Sequence, residues 1–288
     1  MKITLSIYNI ETLKNTAELI DSAVLMIPKY SLLYEDNFSL DDALDLCSNH
    51  KVEAIISLNR IYMEDELEDV KNFILKYKQY KFLVHDLGVI QIMKEMGLSS
   101  NIIYEASTMV CNSLDLSVYG SFGFDAVAMS NEIPLIDVIK SYNETEASIF
   151  YQVFGLKPMF YSKRRLLSLF EKHSGETFER NSLSIKEEKR KELMPIEETS
   201  NGYVVFRSYI LSLLKEIKSL TFLKYAYFES LRLKDAEIAG ILKIYSCYIN
   251  GKIDITTAEE EISKFDLNFG YGFEYSDSIH AKEKIINE

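Results

Sequence analysis

Over the first 155 residues, short apolar runs alternate with longer amphipathic ones. The runs "ITLSIY" (Ile3–Tyr8), "AVLMIP" (Ala23–Pro28), "EAIISLN" (Glu53–Asn59) and "KFLVHD" (Lys81–Asp86) are rich in β-branched and aromatic residues and too short for helices. With "NIIYEAS" (Asn101–Ser107), "DAVAMS" (Asp125–Ser130) and "ASIFYQVFG" (Ala147–Gly155), they predict seven strands. The segments between them have helical spacing. "SLDDALDLC" opens with Ser39 and Asp42 in a capping-box-like pair, and "MEDELEDVKNFILKY" carries acids in its first turn, where they favour a helix start. Seven β/α alternations imply a parallel sheet, because parallel neighbours need a crossover between them. The expected fold class is α/β, a (β/α) TIM-like barrel, incomplete or decorated. A doubly wound open sheet is the alternative, since periodicity does not reveal whether a sheet closes.

Past the seventh strand the pattern changes. Residues 1–173 are expected to form the barrel core. Residues 174–201, with "KEEKRKELMPIEE", read as an irregular charged connection, and residues 202–288 as a portion completing or packing on the barrel. There "GYVVFRS" and "KYAYFES" predict strands, while "YILSLLKEIKSL", "DAEIAGILKIYSCYI" and "TAEEEISKF" predict helices.

Composition narrows the function classes. The chain has 288 residues and a formal charge of −12, which argues against a whole-surface nucleic-acid clamp but leaves room for a local basic patch. Cys47, Cys111 and Cys247 are scattered without a CxxC, as expected of reduced thiols. The N-terminus turns polar by Asn9, and no apolar run approaches a membrane span. The expectation is a cytoplasmic protein without a membrane partner.

In a parallel α/β fold, functional groups gather at the carboxyl ends of the strands. Those ends carry Tyr8, Asn9, Lys29, Tyr30, Asn59, Arg60, His85, Asp86, Glu105, Ser107, Ser130 and Glu132. Any such sheet ends in polar residues, so each position alone weighs evenly between rim and chemistry. His85 and Asp86 with Glu105 could be metal ligands or an acid/base pair from adjacent strands, since a carboxylate favours the charged imidazole. No HxH, HExxH or Cys/His spacing points to a metal, and there is no GxSxG, P-loop or GxGxxG. Cys111 reads as a nucleophile or, more simply, as a structural thiol. In "YSKRRLL", Arg164 and Arg165 could each grip a carboxylate or phosphate bidentately at a helix start. The other reading is a helix with solvated charge and Leu166, Leu167 and Phe170 in the core.

"VFGLKPMFYSKRRLL" (Val153–Leu167) resembles the signature of the collagenase-like peptidase family, peptidase family U-32, roughly V-H-G-x-x-C-x-x-x-S-x-R. Other stretches are similar in order and spacing: "AIISLN" through Asn59, "LVHDLGVI", "EASTMVCN" through Ser107, Thr108 and Asn112, and "MSNEI" keeping Glu132. "LMPIEETSNGYVVFRS", "KYAYFESLRLK" keeping Glu229, and "FGYGFEY" extend the resemblance over nearly the whole chain. The M-F-x-S-K-R-x-L-L wording resembles the shorter proteins that form 5-hydroxyuridine at the tRNA wobble position by a prephenate-dependent route.

The resemblance implies a barrel that acts in tRNA wobble-uridine hydroxylation and binds a small anionic substrate at its rim, with prephenate the implied ligand and tRNA the implied partner. On that function Glu132, Asp86 and His85 would be the catalytic groups. Arg164, Arg165, Lys163, Ser162, Asn59, Glu105, Ser107 and Glu229 would bind substrate. The family label makes collagenase-like proteolysis, a hydrolase activity, the alternative. The chain departs from the signature at Phe154 (usually His), Pro158 (usually Cys) and Asn131 (usually Arg). These departures support a third reading, a non-catalytic subunit paired with an intact paralogue. A four-Cys iron–sulfur cluster is excluded, because only three cysteines exist and none lies in the signature.

Overall fold

The computed structural model describes residues 1–105, 108–179, 183–189 and 191–276. Six short strands lie in the first half: β1 (Lys2–Ile7), β2 (Ser22–Leu25), β3 (Glu53–Leu58), β4 (Lys81–Val84), β5 (Ile102–Tyr104) and β6 (Ala126–Ala128). After them come β7 (Ile149–Ser162), β8 (Ser184–Ile185), β9 (Met194–Thr199), β10 (Gly202–Ser212), β11 (Tyr225–Phe228) and β12 (Phe269–Gly270). The helices are α1 (Ile10–Thr16), α2 (Leu40–His50), α3 (Leu67–Lys76), α4 (Leu87–Glu95), α5 (Ser113–Ser121), α6 (Leu135–Thr145), α7 (Leu166–Ser174), α8 (Asp235–Ile249) and α9 (Ile255–Ser263).

Strands β1 to β7 pair in sequence order, each parallel to the next. The eighth strand, β11, pairs in parallel with β7 through Tyr225↔Phe150 and with β1 through Phe228↔Leu5. That double pairing closes the sheet into an eight-stranded TIM-like barrel surrounded by helices. The open-sheet alternative is ruled out. Each strand is buried on both faces, which is why these stretches read as continuous apolar runs rather than alternating ones. Helix starts follow from local chemistry: Asn9, Ser39, Asp86, Asn112 and Asp254 each accept a first-turn backbone N–H. Among the described residues no helix is long and apolar enough to cross a membrane.

The amino end of the barrel is closed by charge. Lys81 Nζ lies 2.9 Å from Glu53 and 2.7 Å from Asp125, and donates to Tyr225 OH at 2.9 Å. Lys2 adds a bond to Glu53, and Lys224 one to Asp125. Burial alone would raise both carboxyl pKa values, but the hydrogen bonds from these lysines and from Tyr225 to Asp125 outweigh it and hold both below the usual range. Their stabilisation is therefore fully present above the ordinary carboxylate range and is lost as pH falls through the lowered values. Lys81→Met is expected to cost about 2 kcal/mol, since each carboxylate keeps one lysine partner. A urea titration checks this, and the variant should also lose part of the wild type's acid sensitivity.

Strand β7 outruns the barrel. Its second half pairs antiparallel with β10 (Val204↔Tyr161, Val205↔Phe160), then β9 pairs with β10 and β8 with β9. The alternation of strand side chains gives this ribbon two buried faces. Val204 and Phe206 join the barrel core. Tyr203 and Val205, with Met194 and Ile196, form a second apolar cluster covered by Leu166 and Leu167 of α7. Thr199 Oγ1 donates to Leu32 O and Asn201 Nδ2 to Ser31 O, both at 2.7 Å, which pins the ribbon to the loop after β2.

Two expectations change here. The charged segment 174–201 is not irregular throughout, because β8 and β9 lie in it. "YILSLLKEIKSL" is not a helix. Its first four residues finish β10, held by Phe154–Leu156 of β7 and by β12, and only Ile217–Leu220 form a 3-10 turn.

Candidate functional site at the barrel mouth

The extension of β7 roofs the carboxyl end of the barrel, and a cavity of about 140 Å³ lies beneath it. Its polar lining comes from several strand ends: Asn59 after β3, His85 after β4, Glu105 after β5, Asn131 after β6, and Glu229 after β11. Gln152, Pro158 and Tyr161 of β7 and Tyr227 of β11 complete it, over an apolar floor that includes Leu83 and Phe150.

His85 and Glu105 follow neighbouring parallel strands, so their side chains meet. Nδ1 of His85 lies 2.9 Å from the main-chain oxygen of Glu105 and 3.3 Å from its carboxylate. A carbonyl oxygen only accepts, so Nδ1 carries its proton and the titrating position is Nε2. Burial would lower the His85 pKa, but the hydrogen bond and charge of Glu105, with the charge of Asp86, outweigh it and raise the value. The Tyr161 ring stands edge-on to the imidazole at 6.3 Å.

The other polar groups are fixed by the protein. Glu229 is buried and accepts from Ser6 Oγ and Tyr227 OH, each at 2.7 Å, and from Leu231 N at 2.9 Å. Burial still pushes its pKa up, despite these donors. Gln152 Nε2 donates to Leu156 O at 2.9 Å, and Asn131 Nδ2 donates to Gln152 O at 3.2 Å. Behind them the buried Lys157 donates to Asn131 O and lies 3.7 Å from Glu274. Burial lowers the Lys157 pKa to about 8 and raises that of Glu274. The wall is rigid, and the space equals the liquid volume of about five waters, room for one small ring or acid with polar edges.

The structure brings His85, Glu105, Asn59 and Glu229 together at this cavity. It places the other expected residues elsewhere. Asp86 caps α4, its Oδ1 accepting from Gly88 N at 2.8 Å and its Oδ2 from Tyr62 N at 3.1 Å. Glu132 pairs with Arg207 through both oxygens, at 2.8 and 2.9 Å. Ser162 Oγ accepts from Arg164 N, and Lys163 reaches Ile61 O and Glu66. Ser107 lies outside the described residues. Of the remaining rim positions, Asn9 caps α1, Lys29 and Tyr30 both bind Asp69, and Arg60 is held against Glu66 at 2.9 Å over the Tyr62 ring.

The anion-facing helix start needs correction. Arg164 and Arg165 are exposed and do not line the mouth cavity, and Arg165 donates to Ser168 Oγ at 3.1 Å. The N-terminus of α7 already holds an anion from the protein: Leu167 N and Ser168 N donate to the Glu198 carboxylate at 2.8 and 3.1 Å. Leu166 and Leu167 do pack inward, but Phe170 is 51% exposed.

Sequence reasoning did not single out Gln152, Tyr161 and Tyr227. A signal for Gln152 exists, since it is the lone amide within the apolar run "IFYQVFG". Of the three departures from the signature, Pro158 and Asn131 line the cavity, whereas Phe154 is fully buried against Phe228 and Tyr245. Cys111 Sγ donates to Thr108 O at 3.0 Å, and burial pushes the Cys47 thiol up to about 11. Among the described residues, no group of three or more His, Cys, Asp or Glu side chains could hold a metal ion.

Comparison with known proteins bears on the fold and the family. The tRNA hydroxylation protein P2 of Bacillus subtilis (strain 168) is 20% identical over 204 residues, 67% of this chain and 66% of that protein. The match thus spans just under two thirds of the relative's length. A solved structure described as that of the U32 peptidase Mk0906 superposes with a TM-score of 0.51 at 11% identity, covering 80% of this chain and 92% of that one. The profile of peptidase family U32 matches residues 10–273, nearly the whole barrel and ribbon, and the chain belongs to that family.

Proposed function

We propose that this protein takes part in hydroxylating the tRNA wobble uridine to 5-hydroxyuridine, and that the mouth cavity holds a small carboxylic acid of the prephenate type used on that route. The observation that carries this reading is His85. It is the basic side chain of the described cavity lining, its charged form is favoured by Glu105, and it sits in a space sized for one small ring. A relative named for tRNA hydroxylation supports the reaction class. In this reading His85 holds the ligand's carboxylate, Asn59 and Gln152 orient its polar edge, and the β7 roof keeps bulk water out. Arg164 and Arg165 have no part in the cavity.

The test is nucleoside mass spectrometry on tRNA from cells lacking the gene, with the gene restored as control. Loss of 5-hydroxyuridine derivatives on deletion and their return on complementation is the expected result. An unchanged nucleoside profile in the deletion strain would sink the reading.

A further inference from the structure

Charge is unevenly distributed along this acidic chain. Residues 157–207 hold 11 Lys and Arg against 8 Asp and Glu, although the whole chain carries −12. The segment that supplies the β7–β10 ribbon and α7, an arm at the barrel mouth, is therefore net basic in sequence within an acidic chain, and its described residues are close to balanced, with 9 Lys and Arg against 8 Asp and Glu. The ribbon carries a groove of about 500 Å³ lined by Lys189, Lys191, Tyr209 and Met159, by one carboxylate, Glu192, and by Arg207, which also pairs with Glu132. Two of these residues have a buried polar atom without a hydrogen-bond partner, Nε of Arg207 and the hydroxyl of Tyr209. Buried donors of this kind are normally satisfied by a partner.

The arm also exposes rings. Phe160 is 46% exposed, and Phe170, stacked on Phe178 at 6.0 Å, is half-exposed. Cationic grooves interleaved with exposed aromatic rings are what sequence-tolerant binding of single-stranded nucleic acid requires: phosphates pair with the cations, and bases stack on the rings. Position matters as well. Pro158 lines the mouth cavity, and Met159, the next residue of β7, lines the groove.

We propose that this arm grips a single-stranded segment of RNA beside the mouth cavity, with Lys189 and Lys191 on phosphates and Phe160 as a stacking platform. The proposal rests on the tRNA reading above and adds to it the surface that holds the RNA. It also reconciles direct tRNA contact with the acidic net charge, because the footprint is confined to one arm.

The experiment is a titration of full-length protein against an unmodified tRNA transcript, followed by fluorescence anisotropy at several salt concentrations. The double variant Lys189→Ala/Lys191→Ala is expected to bind about tenfold more weakly. Its slope of log K against log salt should fall by about 1.4, two phosphate contacts on a single strand. Phe160→Ala should weaken binding by about fivefold or more with the salt slope unchanged. Thermal melting of each variant confirms that it is folded. The control removes Lys14 and Lys264, each paired with a glutamate three residues before it, and should change neither affinity nor slope. Equal losses in arm and control variants, or no tRNA binding by the wild type, would overturn the arm proposal. If deletion abolishes 5-hydroxyuridine while the arm variants bind tRNA like wild type, the arm proposal fails and the functional reading stands. If deletion leaves the nucleosides unchanged, the functional reading fails whatever the titration shows.

Discussion

Replacing Gly155 with alanine is expected to destabilise the protein by about 3 kcal/mol or more, a large share of a domain's usual 5–15 kcal/mol. Gly155 has φ +105, a region that residues with a side chain rarely adopt. A Cβ there would stand 2.2 Å from the main-chain oxygen of Glu229 and 2.7 Å from its Cβ. Both obstacles belong to the backbone, or are tied closely to it, so no rotamer change relieves them. The clash falls on the seam that closes the barrel, where Glu229 N donates to Phe154 O at 2.9 Å and Phe228 pairs with Phe154. Yielding would separate β11 from β7 and shift Glu229 in the cavity wall. Urea unfolding of Gly155→Ala against wild type measures the cost. An unchanged midpoint would mean that the seam gives way freely and that the close approach has no structural role.

The barrel strands were legible because parallel strands buried on both faces leave uninterrupted apolar runs, and β11, "KYAYFES", leaves the same mark as the first seven. Closure was not legible. It depends on Phe150 meeting Tyr225 and Leu5 meeting Phe228, contacts between distant parts of the chain that no local period encodes. The ribbon was hidden for two separate reasons. In β9, the inward Met194 and Ile196 alternate with Pro195 and Glu197, but four alternating residues are easily lost beside a long run of charge. In β10, "YILS" shares apolar spacing with a helix, and pairing with β7 and β12 decides its conformation over that local preference.

The site divides along the same line. His85 and Glu105 were recognisable because consecutive parallel strands place equivalent ends side by side. Asp86 is adjacent to His85 in sequence, yet α4 begins there and takes its carboxylate as a cap. The cations of "SKRR" were visible, whereas the anion already seated at that helix start, Glu198, comes some thirty residues later on another strand. A basic helix start in a sequence shows where an anion is favoured, not whether the fold already supplies one.

On the proposed reading, His85→Ala is expected to reduce 5-hydroxyuridine formation by about 100-fold, the scale of losing one partner of a buried hydrogen-bonded charge pair. His85→Gln keeps a hydrogen-bonding side chain but not the charge, so it separates two roles. If the charge matters, Gln is as damaging as Ala; if only the bond to Glu105 matters, Gln recovers most of the activity. The sign of the pH dependence follows from Glu105. With the His85 pKa raised, the imidazolium and its attraction for a carboxylate persist above the ordinary histidine range and fade as pH rises through the raised value. The stability that the His85–Glu105 pair contributes follows the same course, fully present below the unfolded value and lost through the folded one. Glu105→Gln removes the carboxylate's raising influence and leaves burial, which lowers the pKa, opposed only by the main-chain oxygen of residue 105 and the charge of Asp86. Its ligand affinity should then begin to fall at a lower pH than in wild type, with the low-pH plateau retained. Prephenate binding followed by calorimetry across pH, on wild type and Glu105→Gln, reads this directly. Superimposable pH profiles would show that Glu105 does not set the charge of His85, and the mouth cavity would lose its claim to a carboxylate ligand.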